Sequence, residues 1–201
     1  AHVYDLPGNY LIEVRLEDDD GGVSVREYPI TIFAGGLPLL VDPEFRASVS
    51  DVATVDVGPL VEAALIRWRD AGADSSEIDR LRGLPMEVSD LGGAVLGMFR
   101  NGQVIIDDNA AGFGWFVDAT PWSDEEFTSA GLASWERRAE DGSPAAGRMD
   151  LLTVILHELG HAFGLPDISP AELPQRLMSG TLPAGTRRLP ASFEGSGVQL
   201  P

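Results

Sequence analysis

Apolar and polar residues alternate with a period of two over residues 10–16 and again over residues 23–32, a pattern that predicts two β-strands. Asp18-Asp19-Asp20-Gly21-Gly22 lies between them, and its two glycines can take the positive φ of a tight connection, so the pair reads as a β-hairpin. From Leu39 the pattern changes to mixed helix and strand. Gly58-Pro59 followed by residues 60–69 predicts a helix with proline in its first turn and Gly72 near its end, and Leu60, Ala64, Ile66 and Trp68 are its candidate core contacts. Residues 75–81 read as a short second helix. Residues 85–91, 94–99 and 103–107 read as successive short strands, with Asn101-Gly102 as the turn between the last two. Residues 108–147 read as a long irregular stretch, inside which Ser123-Asp124-Glu125-Glu126-Phe127 carries a helix-start signal, Ser123 as cap and Glu126 three residues on. Residues 148–156 form a mostly apolar helical run. The tail from Thr181, with its prolines, glycines and Arg187-Arg188, reads as a partly ordered exit linker.

At 201 residues and 44% hydrophobic content, the chain has room for one well-buried core and a small second unit. No run approaches the roughly 18 apolar residues needed to cross a bilayer, so no membrane insertion is expected. Ala1-His2-Val3-Tyr4 lacks the basic start and apolar stretch of a signal peptide, which places any export signal upstream of this sequence. The formal charge of −18, from 32 acidic and 14 basic residues, repels phosphate backbones and anionic membranes, and nucleic acid is excluded as a partner. The absence of cysteine excludes disulfides, thiolate metal sites and thiol chemistry.

The chemistry is concentrated where the apolar run ends, in His157-Glu158-Leu159-Gly160-His161-Ala162-Phe163-Gly164-Leu165-Pro166-Asp167. Positions i and i+4 of a helix share a face, so His157 and His161 can converge on one ion about 2 Å from each ring nitrogen. Glu158 directly follows the first of them and stands beside the ion without ligating it, where it can accept a proton from water. Gly164 can break the helix with positive φ and Pro166 prevents its continuation, so Asp167 can return as a third ligand. Three protein ligands leave a position open for water, which distinguishes a catalytic zinc site from a closed structural one. Two of the chain's three histidines lie in this pattern; His2 reads as a plain strand residue.

Residues 157–167 resemble the metzincin signature His-Glu-x-x-His-x-x-Gly-x-x-His, with aspartate in place of the last histidine, as in the snapalysin-type secreted metallopeptidases. Leu177-Met178-Ser179 resembles the methionine turn of matrixins, and Gly180 stands where some metzincins carry a tyrosine. Residues 94–99 resemble the matrixin edge strand that pairs with an extended substrate, and residues 103–109 the acidic strand end that follows it. Residues 2–10 with the alternating strand and acid run resemble the C-terminal half of a PKD domain, an immunoglobulin-like sandwich that two or three strands cannot complete alone. Residues 107–121 with the zinc helix resemble a module of very large bacterial surface or secreted proteins, over roughly residues 45–190.

These resemblances imply an α+β, zincin-like catalytic domain over residues 37–190: a short mixed sheet, a packing helix, the zinc helix and a methionine turn at Met178. Residues 1–36 would be the partial PKD-like segment and linker, the linker being Ala34-Gly35-Gly36-Leu37-Pro38, and residues 191–201 a tail. The implied activity is zinc-dependent hydrolysis of peptide or protein substrates, with His157, His161 and Asp167 as ligands and Glu158 as general base. The implied setting is secreted or on a bacterial cell surface, within a larger multidomain chain. A different class stays open beside it, a non-catalytic adhesion or spacer module that uses zinc for stability. The acid run Asp18-Asp19-Asp20 reads as a solvated loop or as a calcium site.

Overall fold

The computed structural model describes residues 8–17, 23–32, 39–41, 56–129 and 131–191. Strands β1 (Gly8–Glu17) and β2 (Val23–Ile32) form the antiparallel hairpin that the alternation predicts, in register from Gly8 opposite Ile32 to Glu17 opposite Val23. His2, the acid run at 18–20 with its calcium alternative, the linker at 34–38 and the tail beyond residue 191 lie outside the described residues.

The remainder is an α+β assembly around one central helix. Strand β3 (Leu39–Val41) precedes helix α1 (Gly58–Asp70), which has proline in its first turn and is closed by Gly72 at φ 105°. Its buried face is Leu60, Ala63, Ala64, Leu65 and Trp68. Helix α2 (Ser75–Leu81) starts where the Asp74 side chain accepts a hydrogen bond from the Ser76 amide, and it turns Ile78 and Leu81 inward. Strands β4 (Met86–Ser89), β5 (Val95–Arg100) and β6 (Gln103–Asp107) follow. Asn101 and Gly102 both have positive φ, 53° and 74°, which is the requirement of the two-residue hairpin turn joining β5 to β6. The short strands β7 (Trp115–Phe116), β8 (Phe127–Thr128), β9 (Glu136–Ala139) and β10 (Met149–Asp150) lead into helix α3 (Leu151–Ala162), and β11 (Thr181–Leu182) and β12 (Thr186–Arg188) close the described chain.

Helix α3 is buried from Leu151 to His161, as expected for a helix that is apolar all round. Asp150 caps it, accepting from the Thr153 amide at 3.1 Å and hydroxyl at 2.6 Å. Trp68 of α1 is packed against it and donates its indole N–H to the Leu156 carbonyl at 3.1 Å. On another side lies a five-stranded mixed sheet in the order β11-β3-β5-β6-β4. No described helix is long and apolar enough to cross a membrane.

Four expectations are corrected. Residues 94–99 do not form an edge strand, because β3 pairs with the side of β5 that β6 leaves open. Residues 108–147 contain three strands, two of them paired with partners distant in sequence. No helix starts at Ser123: the amides of Ser123 and Phe127 close tight turns onto Thr120 and Asp124, and Phe127 enters β8. There Asp124 is held by Arg67 and Arg187, and the Phe127 ring packs edge-on against Phe116, so tertiary contacts override the local cap. Finally, residues 181–188 are no linker. They supply β11 and β12, and Arg187 and Arg188 are only 0% and 2% exposed. Arg187 pairs with Asp118 at 2.7 Å, Asp150 at 2.9 Å and Asp124 at 3.0 Å, and Arg188 with Glu136 at 3.4 Å.

Candidate metal centre

At its end α3 is turned back by Gly164, whose φ is 88°, and the Leu165 amide donates to the Gly160 carbonyl at 3.0 Å. The reversed chain brings Asp167 over the histidines. Ile168, the next residue, is pinned to the turn at 177–180: its amide donates to the Met178 carbonyl at 2.7 Å, and its carbonyl accepts from the Gly180 amide at 3.2 Å. The same turn holds the first histidine, since His157 Nδ1 donates to the Leu177 carbonyl at 2.9 Å. His161 Nδ1 donates to the Leu165 carbonyl, also at 2.9 Å. A carbonyl only accepts, so both Nδ1 atoms carry the proton and both Nε2 lone pairs face inward.

Those lone pairs meet. The two Nε2 atoms are 3.1 Å apart, and Asp167 Oδ1 lies 3.2 Å from His157 Nε2 and 3.4 Å from His161 Nε2. Ligands at about 2.0–2.1 Å from a tetrahedral ion would stand roughly 3.3 Å from one another. Three electron-rich atoms this close repel unless a cation or a shared proton lies among them. Burial pulls His161 toward its neutral form, but hydrogen bonding to Asp167 and attraction from Glu158 and Asp167 outweigh it and raise the pKa. Burial likewise works against the Asp167 carboxylate, but its close contact with the His157 and His161 rings outweighs this and holds the pKa below the usual range. His157, His161 and Asp167 can therefore hold a metal ion.

No family model, curated protein or solved structure matches this chain.

Glu158 is wholly buried beside this group, and neither carboxylate oxygen has a hydrogen-bond partner within normal geometry. Burial pushes its pKa from 4.5 up to about 7, against the opposing pull of His157 and His161. Strand β5 passes directly over it. A Cβ on Gly97 would stand 3.2 Å from Glu158 Oε1 and 2.8 Å from a Val154 methyl, so only glycine lets the strand approach this closely. Gly160 has the same function on the far side of the helix, where a Cβ would collide with the sulfur of Met178. Met178 thus lies against the helix turn between the two histidines.

Among the described residues, the sequence pattern therefore names every group whose donor atoms converge here, and the structure brings them together. It does not single out the Leu165 and Leu177 carbonyls or the packing glycines Gly97 and Gly160. Backbone carbonyls leave no mark in a sequence, whereas a glycine interrupting the β5 pattern was a readable sign of close backbone approach. The sequence does not single out Arg187 either, although it grips Asp150, the cap of the helix that carries both histidines, through two bonds at 2.9 and 3.0 Å.

Proposed function

We propose that this chain is a zinc-dependent endopeptidase with a zincin-like fold of metzincin type. The observation that carries the reading is the convergence of three donor atoms at 3.1–3.4 Å beside a buried carboxyl that has no partner of its own. The donor set of two imidazoles and one carboxylate suits zinc and leaves a coordination position open. Bound there, zinc would acidify the attacking water and polarise the scissile carbonyl.

The chain's own groups supply the rest. Leu177 and Leu165 fix the tautomer and orientation of His157 and His161. Glu158 takes a proton from the attacking water, whose oxygen bonds to the carbonyl carbon, and delivers it to the departing nitrogen as the C–N bond breaks, so the products are a carboxylic acid and an amine. Met178 supports the ligand-bearing turn from below. In the same reading the protein acts outside the cell, on peptide or protein substrates and within a larger chain. The PKD-like character of the N-terminal segment supports that setting.

Zinc content and cleavage of unfolded casein, measured together on wild type, Glu158→Ala and His161→Ala, test the proposal. One zinc per chain is expected in wild type and Glu158→Ala, with chelator-sensitive cleavage in wild type alone. Stoichiometric zinc without cleavage of any peptide library would instead favour a zinc-stabilised spacer or adhesion module. Absence of zinc would remove the ligand assignment.

A further inference from the structure

The sheet beside the metal centre contains an insertion. Strand β3 runs antiparallel to β5, with Leu39 opposite Gly97 and Leu40 opposite Val95, and parallel to β11, with Leu40 opposite Thr181 and Val41 opposite Leu182. Among the described residues β11 pairs with no other strand, and the far side of β5 belongs to β6. Without β3, two strand edges would face one another across about 10 Å, two strand spacings, with their N–H and C=O groups unpaired.

Both walls of that slot belong to the metal centre. Gly97, the partner of Leu39, is the residue that packs on Glu158. Strand β11 begins directly after the turn whose Leu177 carbonyl orients His157 and whose Met178 carbonyl and Gly180 amide hold Ile168, next to Asp167. A slot that offers backbone hydrogen bonds on two sides and runs past a candidate general base suits an extended peptide. Among the described residues the segment filling it spans three residues, and its register against β5 shifts between Leu39 and Leu40.

We propose that residues 39–41 are an intramolecular occupant of the peptide slot, which an external substrate must displace. This rests on the peptidase reading and adds its regulation. A site open in only about 1–10% of molecules binds external peptide about 10- to 100-fold more weakly than an open one.

The test uses the full chain with its zinc and the double variant Leu39→Pro/Leu40→Pro, which removes two backbone donors from β3. The expected result is a KM for unfolded casein at least about tenfold lower, with kcat unchanged and zinc content and cooperative melting retained. Hydrogen exchange on the wild type supplies a second readout: amides of residues 39–41 should be protected in the free protein and lose protection when a tripeptide hydroxamate saturates the zinc. Cleavage by wild type with no gain in the variant overturns the occupancy while leaving the peptidase reading intact, and so does protection that persists with hydroxamate bound. Loss of cooperative melting in the variant marks β3 as an integral strand and overturns it too. Failure of both proteins to cleave any peptide overturns the peptidase reading and the occupancy with it.

Discussion

Glu158 is expected to destabilise the metal-free protein, and replacing it by its neutral isostere should reveal by how much. Its carboxyl is wholly buried, lacks hydrogen-bond partners and is raised from 4.5 to about 7. A carboxyl raised in this way binds its proton more tightly in the folded chain than in the unfolded one. Its effect is therefore mildest at low pH, and stability is lost as the pH rises from about 4.5 through about 7. At about 1.4 kcal/mol per pH unit, the penalty is under about 1 kcal/mol near pH 5 and about 3 kcal/mol near pH 8.5. Glu158→Gln removes the ionisation and keeps the shape. In chelator, its melting temperature should exceed that of wild type by roughly 6–12 °C near pH 8.5, at about 2–4 °C per kcal/mol, and by only a few degrees near pH 5. Reloading with zinc should shrink the gain, because a neighbouring cation favours the carboxylate. Calorimetric melts of both proteins at the two pH values, with and without zinc, provide the measurement. A gain of the same size at both pH values, or no gain near pH 8.5, would refute the reasoning, since neither agrees with a carboxyl forced to titrate near neutrality.

Two further outcomes are expected. Arg187→Met should cost about 3–5 kcal/mol in urea unfolding, because it strands the buried carboxylates of Asp118 and Asp150 and half-frees Asp124; a loss below about 1 kcal/mol would show that these acids find other partners. Gly160→Ala should cost about 1–3 kcal/mol through its collision with Met178, and combining it with Met178→Ala should recover part of that loss, so additive effects in the double-mutant cycle would deny the contact.

The parts of this structure that were legible are those whose causes are local. Helix α1 is written in the proline at its start and Gly72 beyond its end, the β5–β6 hairpin in Asn101-Gly102, and the metal group in three residues within an eleven-residue span. Each needs only the geometry of one helix or one turn. Ser123 shows the limit of such reasoning. Its cap-like signal is sound, but Asp124 beside it is claimed by Arg67 and by Arg187, which are 57 and 63 residues away. No window around Ser123 contains those arginines.

The C-terminal stretch reads as linker for the same reason, and its true structure bears on the site. Prolines and glycines around residues 181–188 read as linker because composition averages over positions, while the decisive fact is a single side chain. The guanidinium of Arg187 fits among three carboxylates contributed from 37 to 69 residues earlier, above the ring of Phe127 at 4.3 Å. Arg188 adds a backbone bond to the Thr153 hydroxyl and a side-chain bond to the Thr181 carbonyl. Asp150 and Thr153 form the first turn of α3, and His157 follows one turn later on the same helix. The end of the described chain thus fixes the start of the helix whose other end carries the metal ligands. A truncation that kept His157 through Met178 and removed residues 181–188 would retain every candidate ligand and lose the anchor that positions them.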